Sequence, residues 1–513
     1  MKTTTLLTTI SAIALSAAFT VGVSAQQLDY TSMSEMFGEA VTAGATGAPQ
    51  RASDVPATMI IITQDEIERF PEYDIPGILR HYGGVDVTRY AYGDGQVSVR
   101  GAATGYTPRL LVLVNGREVY LDSYGYTAWS TLPVQLDEIQ QIEVVKGPQS
   151  ALYGFNAVAG VVNIITRNPN HGDYTQLRVN AGTDEYQGIS FTAARQLGDR
   201  FAVRASYGAS EGDSIYYHEN TGYTLVSYKG DLEADTDWGF LTLSAYRNES
   251  EIEYSFGAQD VTLTTLRLQD LFRVGTNDTI RLSLEFRQGE TGSFPDPTNG
   301  DFGYETTAFS AMWNHKFSNA VDLTLAGRFD SVDWSRDAQP NPFLYPFAQA
   351  DYDVSIEELS YNAALVWRPE FGGAVRLTAA RGVQAPTMFD IGFTMPVNLG
   401  GFFVVAAGNP AIEPSIVTNY EIAYDRALTP TMTLRAAVFL QETEGVKSQL
   451  GQAPDLLPPA TPVPTFLFDN RGDTQVAGVE LTLAGRPDNA WSWDANYTYK
   501  QVEDDMSSRS TRR

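Results

Sequence analysis

The stretch "IEVVKGPQSALYGFNAVAGVVNIITRNP", residues 142–169, decides the fold. Two runs rich in Val and Ile, 142–145 and 161–166, flank a centre that contains Gly147, Gly154 and Gly160. β-Branched residues favour strands, whereas glycines mark turns and places where two backbones approach closely. The stretch therefore predicts two strands packed against each other and joined by a tight connection.

Composition narrows the classes of protein that fit. The 513 residues carry 35 Lys and Arg against 62 Asp and Glu, a formal net charge of -27, and they include no cysteine. The absence of cysteine excludes disulfides, thiolate metal sites and thiol nucleophiles. Strong negative charge argues against a nucleic-acid partner, which needs a basic footprint. Length alone allows either several ordinary domains or one large barrel.

The first residues have the pattern of an export signal. Lys2 precedes a mostly apolar run, residues 10–23, and Val23-Ser24-Ala25 is a small-residue cleavage site before Gln26. This order of charge, apolar run and small residues predicts a signal peptide over residues 1–25. The alternative is a membrane anchor, but the run is short and contains Ser and Thr.

Alternation of apolar and polar residues dominates the chain after about residue 174. It is clear in "DTIRLSLEFR" (278–287), "TMTLRAAVFL" (431–440) and "WSWDANYTYK" (491–500). Successive strand side chains point to opposite faces, so each run has one apolar and one polar face. Runs of about ten residues suit tilted strands that cross a bilayer, which only a closed barrel can do with strands. The alternative is a soluble sandwich or propeller.

The connections between these runs differ in length. "RQLGDR" (195–200) and "RALTPT" (426–431) are tight turns, whereas 287–305 and 441–473 are long and rich in Gly and Pro. Short turns at one end and long loops at the other are typical of outer-membrane barrels.

Residues 55–170 have a different pattern, that of a compact α+β unit. "ITQDEIERF" (62–70) predicts a helix with Thr63 as its N-cap, and "DIPGILRHYGGVDVTRY" (74–90) predicts a second helix that ends at Gly83 and Gly84 before a strand. Asn115-Gly116 predicts a hairpin turn. A unit of this size fits inside a large barrel.

Four segments together resemble the TonB-dependent outer-membrane receptors. They are "VSVRG" (97–101), "LVLVNGREV" (111–119), "IEVVKGPQSALYGFNAVAGVVNIIT" (142–166) and "AAGNPAIEPSIVTNYEIAYD" (406–425). The resemblance implies an all-β transmembrane barrel, 22-stranded in the family, with an N-terminal α+β plug domain in its lumen. It implies a signal peptide at 1–25, an N-terminal segment at 26–54, a plug domain at 55–170 and a barrel at 171–513.

The barrel part holds about 16 to 18 predicted strands, fewer than the family's number. The last residues, "DDMSSRSTRR" (504–513), are polar and basic like a loop. We therefore expect the C-terminal strands to be missing from this chain.

The resemblance also assigns residues of the plug motif. Those that match are Arg100, Gly101, Glu143, Lys146, Gly147, Pro148, Gly154 and Gly160. The family commonly has arginine where this chain has Lys146, and lysine cannot form the two-pronged arginine–carboxylate pair. The glycines would let the plug backbone pack closely, and its polar contacts with the barrel wall could be exchanged for others. Both properties would suit a plug that closes the barrel reversibly.

Receptors of this family need a TonB box, a short segment that pairs with TonB of the TonB–ExbB–ExbD complex by strand addition. The best match lies in "GEAVTAGA" (38–45) and comprises Glu39, Ala40, Val41, Thr42 and Ala43. The alternative is an unstructured linker. The interval before the plug is too short for an extra signalling domain.

Ligand is captured in the family between the plug's apical loops and the barrel wall. The corresponding loops here, 89–96 and 120–129, bring together a cationic and several aromatic side chains: Arg89, Tyr90, Tyr92, Tyr120, Tyr124, Tyr126 and Trp129. Flat amphipathic rings suit a planar or ring-bearing solute. The equal alternative is that these rings only pack the plug against the barrel.

The function implied is energy-coupled uptake of a scarce small molecule, such as a ferric siderophore, in the outer membrane of a Gram-negative bacterium. Cobalamin or oligosaccharide import, or a non-transporting surface docking role, are the alternatives, and a plug argues against a passive pore. Haem is disfavoured because 381–393 and 408–410 contain no histidine. No cofactor is implied, and the four scattered histidines and the absence of catalytic motifs argue against an enzyme.

Overall fold

The computed structural model describes residues 41–42, 50–51, 55–72, 74–91, 94–100, 109–119, 125, 127, 129, 132, 134, 136, 139–166, 173–182, 185–213, 222–254, 257–292, 300–337, 347–399, 402–429, 431–449, 465–485, 491 and 493–505.

The N-terminal part of the chain folds into a small α+β plug. Its elements are β1 (Val41–Thr42), β2 (Gln50–Arg51), β3 (Met59–Thr63), α1 (Gln64–Arg69), α2 (Ile75–Leu79), β4 (Val85–Ala91), β5 (Asp94–Val99), β6 (Leu110–Val114), β7 (Arg117–Glu118), β8 (Ile139–Lys146), α3 (Ser150–Tyr153) and β9 (Gly160–Thr166). A five-stranded sheet runs in the order β3-β8-β9-β6-β7, while β1–β2 and β4–β5 form separate pairs. The opening stretch of the sequence thus supplies two central strands, β8 and β9, and the short helix between them.

Apolar residues cover both faces of the five-stranded sheet. One face packs against α1, α2 and the β4–β5 pair around Ile62, Ile78, Leu79, Ile142 and Val162. The other face carries Leu111, Val145 and Val161 together with Val55 and Ala57. Because both faces are covered, the strands are nearly continuous apolar runs, as in parallel sheets of larger proteins.

Local sequence signals of the plug mostly agree with the structure. Thr63 caps α1, and its backbone N–H donates to Glu66 Oε2 at 2.8 Å. Asn115 and Gly116 have φ of 52° and 73° and join β6 to β7 as a hairpin, so this predicted turn is confirmed. The second helix comprises Ile75–Leu79, with Asp74 as its N-cap, and it ends before Gly83, where the sequence predicted its end.

The rest of the chain forms a large antiparallel sheet that surrounds the plug. Its strands are β10 (Tyr174–Ala181), β11 (Gln187–Leu197), β12 (Phe201–Asp213), β13 (Gly222–Asp235), β14 (Gly239–Tyr254), β15 (Gly257–Val274), β16 (Asp278–Thr291), β17 (Asp301–Lys316), β18 (Val321–Asp337), β19 (Val354–Trp367), β20 (Ala374–Gln384), β23 (Ser415–Thr429), β24 (Met432–Glu444), β27 (Thr474–Gly485) and β28 (Trp493–Asp504). Neighbours in this list pair in sequence order, which is the topology of an up-and-down barrel wall.

A small mixed sheet lies in the long connections of this wall. It contains β21 (Thr394–Leu399), β22 (Phe402–Ala407), β25 (Lys447–Gln449) and β26 (Thr465–Asn470), beside α4 (Met388–Gly392) and a 3-10 helix at Gln349–Tyr352. The sequence-based count of 16 to 18 strands lies between the fifteen described strands of the wall and the nineteen reached when these four are included.

The two faces of the wall differ as the alternation predicts. On β16, Leu282, Leu284 and Phe286 are exposed on the outer face. Arg281, Ser283 and Glu285 alternate with them and are buried against the plug. The apolar face therefore points away from the plug, where an outer-membrane barrel meets lipid. None of the helices in the described part combines the length and the apolar character needed to cross a membrane.

Candidate functional site: the contact between plug and barrel wall

Four charged side chains meet where the plug touches the wall, and we call them the four-charge cluster: Arg100, Lys146, Glu421 and Glu480. Arg100 forms an ion pair with Glu421 through Nη2 and reaches Glu480 Oε1 through Nε at 3.3 Å. Lys146 Nζ lies 3.0 Å from Glu480 Oε2. Two cations of the plug thus face two carboxylates of the wall, and the cluster has no net charge.

Backbone geometry of the plug places both cations. Arg100 follows β5 in a left-handed conformation, φ 58°, and its N–H donates to Gly84 O at 2.9 Å. Lys146 ends β8, and its Nζ also donates to Gly83 O at 2.6 Å. The loop that ends the α2 region therefore supports both cations.

Neighbouring groups complete the cluster. Thr58 donates its hydroxyl to Glu421 Oε1, and the Arg100 guanidinium lies 4.1 Å from the centre of the Phe439 ring. Arginine stacks on aromatic rings while it binds carboxylates, which suits a buried position. Arg100 and Arg376 are the largest fully buried side chains among the described residues.

The electrostatics of the two cations differ. Burial lowers the pKa of Arg100, but the carboxylates of Glu421 and Glu480 outweigh burial, so the pKa of Arg100 is raised. For Lys146, burial outweighs the attraction of Glu480, and its pKa is lowered. Arg100 is therefore the more firmly charged partner, and it contacts both carboxylates. Lys146 makes a single contact with Glu480, as expected for an ammonium in place of a guanidinium.

A second set of polar contacts joins the plug to β15 and β16. Arg267 Nη1 lies 3.4 Å from Gly116 O, at the hairpin between β6 and β7. Arg287 forms an ion pair with Glu118 of β7. Charged side chains of the wall thus bind the plug sheet at the β6–β7 hairpin as well as at the end of β8.

A third set docks the α3 region on the wall. Asn362 Nδ2 donates to Pro148 O at 2.8 Å, and the Val383 N–H donates to Ser150 Oγ at 3.3 Å. The Asn156 N–H donates to Val383 O at 2.9 Å. Hydrogen bonds of this kind are exchangeable with water, unlike a fused apolar core.

Two glycines of the motif permit this close fit. Gly154 has φ 94°, and a Cβ there would lie 2.9 Å from Arg328 Nη2 of the wall. A Cβ at Gly160 would collide with the Val145 carbonyl oxygen across the β8–β9 pair. Gly147, in the turn after β8, donates its N–H to Ala159 O at 3.0 Å, and Gly101 lies outside the described residues.

The predicted TonB box is described only in part. Val41 and Thr42 form β1, which pairs with β2, and the Thr42 hydroxyl donates to Glu143 Oε1. Glu39, Ala40 and Ala43 lie outside the described residues. Thr42 and Glu143, two separate sequence-predicted sites, are therefore in direct contact.

The predicted ligand residues are not brought together in the described part. Arg89 pairs with Asp74 Oδ1 at 2.8 Å, and Trp129, 7% exposed, packs in the plug core. These contacts support the packing alternative for both residues. Tyr90 lies in β4, where its side chain is not described, and Tyr92, Tyr120, Tyr124 and Tyr126 lie outside the described residues.

Sequence reasoning missed Glu421 and Glu480. Each lies on the inward face of a wall strand, and Glu421 alternates with outward Tyr420 and Ile422. An acidic residue on the inward face of an alternating strand was the available signal. Many other wall strands carry such residues, so the signal does not single out these two. Among the residues that the structure describes, no three His, Asp or Glu side chains are grouped so as to hold a metal ion.

Two family models match the chain. The description "TonB dependent receptor-like, beta-barrel" matches residues 140–512, and "TonB-dependent Receptor Plug Domain" matches residues 51–161. The vitamin B12 transporter BtuB of Photobacterium profundum is 24% identical over 490 residues, which cover 89% of this chain and 77% of that protein.

Solved structures share the fold. The siderophore receptor PirA of Pseudomonas aeruginosa matches with a TM-score of 0.62 at 18% identity, covering 86% of this chain and 84% of that one. The alcaligin outer-membrane receptor FauA of Bordetella pertussis matches with a TM-score of 0.58 at 15% identity, covering 90% of this chain and 83% of that one.

Proposed function

The chain belongs to the TonB-dependent receptors, and we propose that it imports a scarce metal chelate, a ferric siderophore, across the outer membrane of a Gram-negative bacterium. Import is driven by TonB of the TonB–ExbB–ExbD complex. The mature chain begins at Gln26, and its outer apolar face contacts lipid.

One observation carries the transport proposal: inward-facing side chains of the wall bind the plug through polar contacts that can be exchanged for contacts with water or other groups. Beside an apolar contact of Ala151 with Met312 and Ala326, the plug is joined to the wall by the four-charge cluster and the hydrogen bonds of the α3 region. Such contacts fix the plug at rest and can be replaced by water or alternative partners when it moves. A passive pore has no use for a domain that fills it.

The chemical class of the solute is argued from the relatives. Two structural neighbours are siderophore receptors, whereas a relative in sequence is a vitamin B12 transporter. Both kinds of solute are large metal chelates too scarce and too big for diffusion through small pores. Cobalamin is therefore the second candidate. Tyr90, Tyr92, Tyr120, Tyr124 and Tyr126 remain our candidates for contact with the solute, since rings suit either one.

Coupling to TonB is assigned to residues 39–43. In strand addition, the backbone N–H and C=O groups of the added segment pair with the partner sheet. Val41 already has strand geometry in β1, so little rearrangement of its own dihedral angles is needed to pair with another strand.

The Val41→Pro variant tests the coupling segment. Proline lacks the N–H that strand pairing requires, so we expect uptake to be abolished while ligand binding is unchanged. Val41→Ala keeps the N–H and is the matched control. Binding is first screened on the full chain with ferric siderophores, cobalamin and oligosaccharides, and uptake is then measured with the radiolabelled solute that binds.

The same assay separates the competing functions. Uptake that persists after collapse of the proton-motive force would indicate a passive pore. Binding without any uptake in the wild type would indicate a surface docking protein. Equal uptake by Val41→Pro and wild type would place the TonB box elsewhere in the chain.

A further inference from the structure

Arg109 is a buried cation at the edge of the plug sheet where β6 and β9 begin side by side. It precedes Leu110, which is paired with Gly160, and its carbonyl oxygen accepts the Ala159 N–H at 2.7 Å. Arg109 is 9% exposed, and its Nε has no hydrogen-bond partner. Burial lowers the pKa of Arg109 to about 10, and no carboxylate opposes this effect. Among the residues that the structure describes, this positive charge has no counterion.

Other buried arginines of the protein are paired with carboxylates. Arg328 lies 2.9 Å from Glu285 and 2.8 Å from Asp330, and Arg376 lies 2.8 Å from Asp425. Burial of a charge is strongly unfavourable unless a partner or an ion compensates for the lost water. The unpaired guanidinium of Arg109 therefore indicates a counterion that comes from solution.

A second buried cation, Lys447, lies close to Arg109. Lys447 begins β25, and its Nζ donates to Ala385 O at 2.8 Å and to Asp390 Oδ2 at 3.1 Å. Burial lowers the pKa of Lys447, and repulsion by Arg109 adds to this effect, whereas the attraction of Asp390 opposes it. Asp390 thus balances Lys447, and the charge of Arg109 remains uncompensated.

An amide without partners lies beside Lys447 on the wall. Gln384 ends β20 and is fully buried, and neither its Nε2 nor its Oε1 has a hydrogen-bond partner in the described part of the chain. Gly382 is on the same face of the strand and lies against the plug, since a Cβ there would be 3.1 Å from Val158 Cγ1. Gln384 also directly precedes Ala385, whose carbonyl oxygen binds the Lys447 ammonium. The plug-facing side of β20 thus offers an unused amide donor near the two cations.

A turn of the plug joins Arg109 to this end of β20. The Asn156 N–H donates to Val383 O at 2.9 Å, and the Ala159 N–H donates to Arg109 O, so one short segment of the plug contacts both sides. The long connection 385–414 of the wall begins directly after Gln384. Long connections are extracellular in outer-membrane barrels, so this end of the wall is the one that meets solutes from outside.

We propose that Arg109 and Gln384 bind one carboxylate group, with Lys447 adding positive potential beside it. The planar guanidinium matches a carboxylate through two parallel hydrogen bonds, and a primary amide supplies a further donor. The single uncompensated positive charge matches a single carboxylate. This group belongs either to a small free anion or to an acid-bearing solute, and in the second case the inference rests on the proposed function.

Thermal unfolding of the purified full chain in detergent tests the site, with sodium formate as the probe and sodium chloride at equal ionic strength as the reference. A ligand that binds only the folded state raises the unfolding midpoint, so we expect formate to raise the wild-type midpoint by about 2 °C more than chloride does. Arg109→Met removes the charge but keeps an unbranched side chain, and it is expected to lose this rise. Arg80→Met removes an exposed arginine of the plug and is the matched control, which is expected to keep the rise.

Two further variants keep the test decisive if Arg109→Met folds poorly. Arg109→Lys retains the charge without the two-pronged geometry, and Gln384→Leu removes the amide, so each is expected to keep only part of the rise. In chloride alone, Gln384→Leu is expected to unfold no earlier than the wild type, because it removes a buried group that has no partner. A wild type that responds equally to formate and chloride, or an Arg109→Met variant that responds to formate in full, would overturn the carboxylate site.

Iron chelates distinguish the two sources of the carboxylate. If the group belongs to a solute, ferric citrate is expected to give an Arg109-dependent rise at about a tenth of the formate concentration, because the rest of the chelate adds contacts. Iron-free citrate and ferric desferrioxamine B, which has no free carboxylate, are the controls and are expected to give no such rise at that concentration. An Arg109-dependent rise with formate alone would assign the site to a free anion.

The response to formate does not require transport, which separates this inference from the proposed function. An Arg109-dependent response in a chain that takes up none of the screened solutes would leave the carboxylate site standing and overturn the proposed function. Energy-coupled uptake of a ferric chelate by a wild type that does not respond to formate would overturn the site and leave the proposed function standing.

Discussion

Arg100 binds two carboxylates from a backbone conformation that L-residues rarely adopt. Its φ of 58° costs about 1–2 kcal/mol, so the contacts with Glu421, Glu480 and the Phe439 ring must outweigh that strain. The backbone bond from Arg100 N–H to Gly84 O fixes the residue in place. Because the backbone conformation at residue 100 is strained for any residue with a side chain, the contacts of the arginine side chain must account for arginine at this position.

Replacement of Arg100 by alanine is expected to lower the free energy of unfolding by about 3–5 kcal/mol, because it leaves two buried carboxylates with Lys146 alone. Arg100→Gly is expected to be about 1 kcal/mol less destabilising than Arg100→Ala, since glycine tolerates the positive φ. Arg80→Ala is the control: Arg80 is 51% exposed in its pair with Glu72, and such pairs contribute about 0–1 kcal/mol. Urea unfolding in detergent measures all three, and equal losses for Arg100→Ala and Arg80→Ala would contradict the buried role.

Glu143 makes the plug's stability depend on pH. Burial raises the pKa of Glu143 above its ordinary value of 4.5, even though Thr42, Gln141 and Asn163 lower it. A group whose pKa is raised on folding contributes stability that is present below the unfolded pKa and is lost as pH rises through the folded pKa. We therefore expect the wild type to gain stability relative to Glu143→Gln as pH falls through the raised folded pKa towards the ordinary value of 4.5. Urea midpoints of the two proteins across this range measure the difference, and a constant difference would show that the pKa is not raised.

At the scale of elements, α3 and its flanking turns anchor the plug to the wall. α3 has only four residues, too few to be stable alone. Asn362 of β19 and Val383 of β20 bind its N-terminal end, and Val383 O also accepts from the Asn156 N–H after the helix. Gly154 ends the helix with φ 94° and ψ -164°, a region open almost only to glycine. This conformation turns the chain beneath Arg328, which itself binds Glu285 and Asp330.

Gly154→Ala is expected to destabilise the protein by about 1–3 kcal/mol, because it strains the backbone and forces Arg328 away from its carboxylates. Gly327→Ala is the matched control in the neighbouring strand, since a Cβ there meets nothing within 4 Å and the φ of Gly327 is ordinary. Thermal unfolding of both variants is compared with the wild type. A similar small effect for both would mean that the α3 turn adapts without loss.

At the scale of the whole molecule, the wall separates two environments. Side chains of one face, such as Leu284, are exposed and apolar, while those of the other, such as Glu285, are buried against the plug. The plug contacts the wall through ion pairs, hydrogen bonds and the apolar contact of Ala151 with Met312 and Ala326, whereas the middle of β16 exposes apolar side chains on its outer face.

Leu284→Arg is expected to destabilise the barrel in lipid by about 2–4 kcal/mol, because it places a charge on the lipid face near the middle of a strand. Thr276→Arg, in the tight turn between β15 and β16, is the matched control and is expected to have little effect. Folding of each variant into lipid vesicles, followed by the shift of the folded barrel on gels, measures the difference. Equal folding of both variants would contradict a lipid-facing Leu284.

The sequence by itself determined the features that depend on neighbouring residues. The alternation of 278–287 gave the inward and outward faces of β16, Thr63 gave the start of α1, and Asn115-Gly116 gave the hairpin. Each follows from steric and hydrogen-bonding preferences over a few residues. The glycines of the opening stretch likewise predicted a close-packed connection between β8 and β9.

Only the tertiary structure decided which distant groups meet. Arg100 and Glu480 are 380 residues apart, and many inward acidic residues were available to pair with that arginine. An aromatic residue such as Trp129 suits a ligand site and a core equally well, and only packing placed it in the core. The contact between Thr42 and Glu143 depends on where a two-residue strand is seated on the plug. A buried charge or hydrogen-bond donor without a partner is too unfavourable, so burial determines which distant groups pair. These groups become buried only when the whole chain has folded, and a local stretch of sequence therefore cannot specify the pairs.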